Sequence, residues 1–270
     1  DVLVVAPRLL YTTMTRSQRE HGGREPRLRR WMVAGVLLGG ALWLLAQWPV
    51  TTRFGVDYVW SAKRIPLYAK AVNFLSRDIQ TRQIVREIVA GVVSEEEKLL
   101  RIFSWVTEHI RDVPESFPLV DDHAFHVIIR GYGGQDQRTE TFVLLAGYAG
   151  YDAAVTKTML PESRIALMLA LVHLDHRTAL FDVVNQIVFR NEAGELADLS
   201  ELFDRPQLIT AAAPEMEIGG LPYEQYILKL REGRTLFSRT QAQQVWPRLK
   251  QEIRRLVGMT AAHRTEFEIH

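Results

Sequence analysis

The chain contains no cysteine among its 270 residues. That excludes disulfides, thiolate metal sites and any cysteine nucleophile, whatever the fold. It leaves the compartment open, since an oxidising space permits disulfides without requiring them. An excess of either charge is also lacking: 33 Lys and Arg face 32 Asp and Glu, for a net charge of +1. A dedicated nucleic-acid binder is expected to be strongly basic, so that class is set aside. No internal repeat and no low-complexity tract occurs. The Gly131-Tyr132-Gly133-Gly134 run is not a phosphate loop, because no Lys-Ser/Thr follows it. Neither Ser163 nor Thr139 sits in a G-x-S-x-G elbow, which weakens both as nucleophiles. The hydrophobic share of 47% and the length suit a membrane anchor plus one ordinary domain. The sequence opens on Asp1 rather than Met, as it would after processing or after a disordered start.

The clearest positive feature is Trp31 to Trp48, WMVAGVLLGGALWLLAQW, which carries no charge. As a helix it spans roughly 27 Å, close to the hydrocarbon thickness of a bilayer. Tryptophans stand at both ends, where amphipathic rings favour the headgroup level. The segment is apolar all round, which favours lipid over a buried core helix. Arg24, Arg27, Arg29 and Arg30 precede it, with Arg16 and Arg19 further back, and only Arg53 follows closely. The positive-inside rule therefore predicts a cytoplasmic N-terminus and an extracytoplasmic domain, periplasmic in a bacterium. A cleaved signal peptide is the rival reading. The chain keeps the segment, so a retained inner-membrane anchor is expected. Gly35 and Gly39 form a G-x-x-x-G pair, the small-residue face that lets another helix approach.

Five segments are expected. Residues 1–30 form a cytoplasmic tail, in which 1–11 (DVLVVAPRLLY) is too short to span and reads as a strand or a docked interfacial segment. Residues 12–30 read as a polar, basic tether. Residues 31–48 are the membrane helix, and 49–93 a helical connector. There, apolar spacing through Ala71, Phe74, Leu75, Ile79, Ile84, Ile88 and Val89 predicts a helix over 67–89. Residues 94–205 are the main domain. Ser94-Glu95-Glu96-Glu97 is a capping box opening a helix whose stripe is Leu99, Leu100, Ile102, Phe103, Val106 and Ile110. A second helix starts near Gln135 and closes at Gly150. Strands then follow over 153–160, 165–174 and 178–184, with a hairpin turn at Asp175-His176-Arg177 and a turn at 191–194. Helices followed by strands imply an α+β fold with an antiparallel sheet. Residues 206–270 read as a linker to 221 and helices over 223–231 and 239–257. The last has a basic side, Arg248, Lys250, Arg254 and Arg255, either a solvated face or a site for a partner or anionic headgroups.

The stretch from Arg130 to Gly150, RGYGGQDQRTETFVLLAGYAG, resembles the nucleophile motif of bacterial transglutaminase-like (papain-like) domains. Those run Gly-x-Gly-x-Cys-Asp-Gln into a helix with an Ala-Gly-Tyr-like end. Gly131, Gly133, Asp136 and Gln137 match, and Gln135 stands where the family has its cysteine. The preceding helix, EEEKLLRIFSWVTEHIRD, is also similar to the family's, and the resemblance covers about residues 94–205. In that motif a thiolate at a helix N-terminus is stabilised by free N–H groups, and a strand histidine serves as base. Aligning back from Phe181-Asp182 puts Leu167 at the histidine, Thr178 at the usual tryptophan and Asp182 at the acid. No histidine lies within 164–172, so a slip in that alignment does not restore one. The resemblance therefore implies a degenerate member with the triad positions Gln135, Leu167 and Asp182.

Two histidine pairs, Asp121-Asp122-His123 with His126 and His173 with Asp175-His176, invite a zinc reading. On a strand their i, i+3 spacing points each pair to opposite faces, so no metal and no cofactor is expected. Function is then expected to reside in contact. The expectation is an inactive accessory or structural subunit of a membrane complex, partnered by membrane subunits and lipid and by no nucleic acid. Photosynthetic, respiratory, secretory and envelope assemblies all qualify. A photosynthetic reaction centre is the guess among them, and no motif supports it. The alternative is an envelope hydrolase or transferase, or a peptide- or glycan-binding module, using a remodelled cleft.

A charge at the centre of the span, Leu38→Arg, is expected to cost about 2.5–3.5 kcal/mol of insertion free energy. Carbonate extraction at high pH is the check. The native chain should stay in the pellet and the variant should lose membrane-resident protein. Release of the native chain would show that 31–48 is not an anchor.

Overall fold

The computed structural model describes residues 25–54, 61–118, 123–233, 235–237 and 244–256. The chain divides into two compact units, residues 1–50 with 64–70 and residues 51–63 with 71–270. In the first, helix α1 runs from Glu25 to Ala46. It starts six residues before Trp31, so Arg27, Arg29 and Arg30 belong to the helix and not to a tether. Pro26 in its first turn loses no hydrogen bond there. Its apolar window, Arg29–Ala46, has no buried residue and is long and apolar enough to cross a membrane. The tail before residue 25, with Arg24 and the stretch 1–11, lies outside the described residues.

Strands β1 (Pro49–Phe54) and β2 (Ser61–Pro66) pair as a two-stranded sheet where a flank and a short connection were expected. Helix α2 (Leu67–Ile88) follows the expected range. Its buried side follows the apolar spacing only in its second half, where Ile84, Ile88 and Val89 pack on the core. Asp78, Thr81 and Val85 are buried, while Leu75 and Ile79 are exposed. Polar satisfaction explains the difference. Asp78 accepts from Arg82 Nε and from the Tyr148 hydroxyl, each at 2.9 Å, and Thr81 Oγ1 donates to the Arg77 carbonyl. A buried carboxylate with two donors outweighed hydrophobic periodicity here.

Helix α3 (Glu95–His109) opens as its capping box predicts, with Ser94 Oγ accepting from Glu97 N. Leu99, Ile102, Phe103 and Val106 are its buried stripe. A short helix not foreseen, α4 (Ala124–Arg130), comes next. His123 caps it: the ring Nδ1 accepts from Phe125 N at 3.2 Å. Gly131 ends it in the left-handed region at φ 71°, where a side chain is strained. Helix α5 (Gln135–Ala149) then runs through the interior, with every residue from Gln137 to Ala146 buried.

The main sheet has strand order β6-β5-β4-β3-β9, all antiparallel. Its strands are β3 (Asp152–Met159), β4 (Ala166–Leu174), β5 (Arg177–Asp182), β6 (Ile187–Val188) and β9 (Thr235–Phe237). The antiparallel sheet and the α+β class agree with the sequence reading. Leu174 pairs with Arg177 across a two-residue turn at Asp175-His176. Central strand β4 reads ALMLALVHL, a near-continuous apolar run, because both faces of the sheet are covered. Ala170, Val172, Ala179 and Phe181 face α3 and α5. Leu167, Leu169, Leu171 and Leu180 face a second core.

That second core corrects the boundary expected at residue 205. Helices α6 (Leu199–Asp204), α7 (Gln207–Ala212) and α8 (Tyr223–Lys229) cover the far face with a small hairpin, β7 (Glu217–Ile218) and β8 (Leu221–Pro222). Leu208, Ile209, Tyr223, Tyr226, Ile227 and Leu230 are all buried there. The Ala- and Gly-rich stretch is a helix and a tight turn, not a linker. Gly219 and Gly220 both take positive φ, as a two-residue hairpin requires. Helix α9 (Val245–Leu256) closes the described chain; residues 239–243 and 257 of the helix expected there lie outside the described residues.

His123 carries a pH dependence. Burial, with Arg77 and His126 nearby, holds its pKa down at about 3. The folded protein keeps the ring neutral, while the unfolded chain protonates it below about 6.5. Between those values the unfolded state binds more protons, so stability is full above 6.5 and falls as pH drops, by about 1.4 kcal/mol per unit at the steepest. His123→Asn keeps a capping acceptor without a titrating ring. Unfolding curves between pH 7 and 4 are expected to show a shallower acid loss for the variant. Identical slopes would remove His123 from the acid response.

Candidate functional site

The glycine motif has structural reasons at each of its positions. Arg111 N donates to the Gly131 carbonyl and Gly133 N to the Arg111 carbonyl, each at 3.0 Å, which fastens the chain beyond α3 to the entry of α5. A Cβ added at Gly133 would meet Val127 Cγ1 at 2.9 Å and Gln137 Cβ at 3.2 Å. Gln137 Oε1 accepts from Gly134 N at 3.1 Å and from Arg130 Nη2 at 2.8 Å. That satisfies one of the free N–H groups that a helix start leaves. Arg138, also buried, donates to Asp112 Oδ1 at 2.8 Å. Gly131, Gly133 and Gln137, three of the four matching motif residues, therefore build a turn, a close approach and a cap.

Gln135 itself is exposed, in the first turn of α5. Its carbonyl accepts from Thr139 Oγ1. A thiolate at this position would have the helix dipole and the nearby N–H groups, but a carboxamide has no nucleophile to activate. Asp136 supplies a negative charge in the same turn.

The other two triad positions do not converge on Gln135. Leu167 is buried in the core on the α8 side of the sheet, away from α5. The residue of β4 on the α5 side is its neighbour, Met168, which packs on that core and whose carbonyl accepts from Thr139 Oγ1. The one-residue difference is decisive because successive strand residues face opposite sides. Asp182 is fully buried, also on the α8 side, and accepts from the Tyr223 hydroxyl at 2.8 Å. It also accepts from Val184 N, Asn185 N and Asn185 Nδ2. Burial pushes its pKa up, opposed by these donors. Asp182 ties the end of β5 to α8, a role that the sequence pattern did not disclose. An aspartate three residues before an asparagine was the available signal, since both residue types mark turns.

The histidine clusters also resolve into local bonds. Asp121 and Asp122 lie outside the described residues. His123 and His126 sit at the start of a helix, not on a strand, so their i, i+3 spacing brings the rings to 6.1 Å rather than to opposite faces. His173 Nδ1 is 2.8 Å from Thr178 Oγ1 across the β4–β5 ladder. Among the described residues, no three His, Cys, Asp or Glu side chains converge as metal ligands.

Glu96 has a larger part than its place in a capping box implied. It accepts from Arg177 Nη2 at 3.0 Å, Arg190 Nη1 at 3.4 Å and Leu196 N at 3.1 Å, joining the start of α3 to β5 and the chain beyond β6. Two surface hollows, of about 330 and 300 Å³, stand out. One is lined by the end of α5, the start of β3, Gln244 and Pro247, the other by α3 and Ile88. Neither is lined by Gln135 or Asp182. In α1, Arg29 and Arg30 are exposed, and a Cβ added at Gly35 or Gly39 meets nothing within 4 Å.

No protein-family profile matches the chain, and no curated protein matches it. Among solved structures, a "Putative Cysteine Protease" from Cytophaga hutchinsonii matches 47% of this chain at 14% identity and a TM-score of 0.35. A "Putative Protease" from Parabacteroides distasonis matches 42% of it at 12% identity and a TM-score of 0.33. The matches span 45% and 26% of those two chains. Likeness at this level is too slight to assign an activity.

Gln135→Cys and Gln135→Cys/Leu167→His are both expected to show no peptide hydrolysis and no glutamine–amine transfer above the native chain. Residue 167 faces away from α5, so a histidine there supplies no base to position 135. Turnover by the double variant would show that the two positions meet.

Proposed function

We propose that the chain is a catalytically inactive, transglutaminase-like protein, held at the inner membrane by α1. Its role is that of an accessory or structural subunit of a membrane complex. The carrying observation is the state of the α5 N-terminus. An exposed glutamine stands where the resemblance puts the nucleophile, in a chain without cysteine, and the β4 residue on the α5 side is a methionine. Among the described residues, the apolar window of α1 has no buried residue, which leaves it open to lipid or to another helix. Such a chain works by holding other proteins. The arginines before the span favour a cytoplasmic tail and an extracytoplasmic domain. Reaction-centre, respiratory, secretory and envelope assemblies are the candidate complexes, with a photosynthetic reaction centre the specific guess.

The Gly35/Gly39 face provides a clean test. Isoleucine at either position meets no atom of this chain within 4 Å of its Cβ, so its own fold should be undisturbed. A helix packed on that face is pushed away. Gly35→Ile/Gly39→Ile, and separately deletion of residues 1–11, are expected to reduce recovery of membrane partners severalfold on gentle detergent purification. Unchanged recovery with both variants would reject contact through α1 and the tail. Identifying what co-purifies with the native chain selects the complex.

A further inference from the structure

Helix α9 is arranged inside out. Its start rests on the domain through polar and small groups: Gln244 and Pro247 line a hollow with Val143, Gly147 and Tyr151. Gln244 approaches so closely that a Cβ at Gly147 would meet its Nε2 at 2.7 Å. Three of its apolar residues lie open instead. Trp246, Leu249 and Ile253 are 74%, 45% and 50% exposed. Their spacing of three and then four residues puts them in one stripe along the helix. A helix of a soluble domain buries that stripe against its own core.

The charge of the helix says what covers it. VWPRLKQEIRRL holds four cations, Arg248, Lys250, Arg254 and Arg255, against one acid, Glu252. A second copy would bring two such cationic helices together, and like charges oppose that pairing. An apolar groove on a neutral partner would bring no counter-charge for Lys250, Arg254 and Arg255. An anionic bilayer surface accepts both parts: the stripe enters the headgroup–acyl boundary and the cations meet phosphates. Tryptophan suits that depth, with an apolar ring and a polar N–H.

We propose that α9 lies in the plane of an anionic membrane surface, with Trp246, Leu249 and Ile253 in the boundary layer. This gives the domain a second lipid contact, distinct from α1. The inference rests on the residues of α9 and survives if α1 proves not to be an anchor.

The cysteine-free chain makes the test direct. Leu249→Cys, on the stripe, and Lys250→Cys, beside it, each accept one environment-sensitive fluorophore on the full-length protein. The labelled chains are reconstituted into phosphatidylcholine vesicles, with or without about one third phosphatidylglycerol. The label at 249 is expected to be quenched at least about threefold more by lipid-borne nitroxide than the label at 250, with the anionic lipid only. Roughly 0.5 M salt should weaken the effect. Lys250→Glu/Arg254→Glu, carrying the label at 249, should abolish it. Equal quenching at 249 and 250 in anionic vesicles overturns the proposal. So does burial of the 249 label in detergent that depends on protein concentration, which points to a second copy. Burial only on adding an acidic protein partner overturns it too. Flotation with neutral vesicles reads α1 separately, so loss of the anchor and loss of the α9 contact are told apart.

Discussion

A helix buried on every side must find partners inside the protein for whatever polar groups it carries, and α5 sets that condition for the domain. Ten consecutive residues, Gln137 to Ala146, are out of water. Its apolar part is easily placed: Phe142 meets Phe103 edge to face and packs against Phe181, which joins α3, α5 and the sheet. The polar part is harder. Gln137 needs Arg130 and Gly134, Arg138 needs Asp112, and Thr139 needs the Met168 carbonyl. Each of these partners fixes a neighbouring segment, so α4, the chain after α3 and strand β4 are all positioned by what α5 must satisfy. Unmade hydrogen bonds of this kind cost about 1–3 kcal/mol apiece, which is large against the net stability of a domain.

Legibility in the sequence followed the physics of each element. The capping box at Ser94, the stripe of α3 and the three long strands were readable because one local rule decides each. The helix α2 was readable as a helix but not in the orientation of its first half, because Asp78 is buried by partners that lie 4 and 70 residues away. Helix α4 was invisible: seven residues give too little periodicity, and its cap is a histidine, an unusual capping residue. The stretch 208–221, part of the second core, was read as a linker because alanine, proline and glycine mark turns and short helices equally. At the candidate site, the motif's location at the start of α5 was legible. The faces of β4 and β5 were not, since a period of two makes a one-residue error complete.

Asp182 shows how a residue keeps its identity while its setting gives it other work. The resemblance assigned it the acid of a triad. In the fold it is sealed on the far side of the sheet and surrounded by donors from its own turn and from Tyr223. The same arrangement pushes the Tyr223 hydroxyl far above its usual range, through burial first and the neighbouring carboxylate second. The Tyr223 hydroxyl therefore stays a donor and Asp182 an acceptor held by four hydrogen bonds, which suits a fixed joint.

Gly131 and Gly133 carry a consequence for how such chains drift. One sits at a positive φ and the other has no room for a Cβ, so substitution at either disturbs the entry to α5. Gln135, between them and the buried helix, faces solvent and is free to change. Replacement is therefore tolerated at 135 and resisted at the two glycines. The entry to α5 is thus rigid in its backbone and permissive in the one side chain that it holds out to solvent.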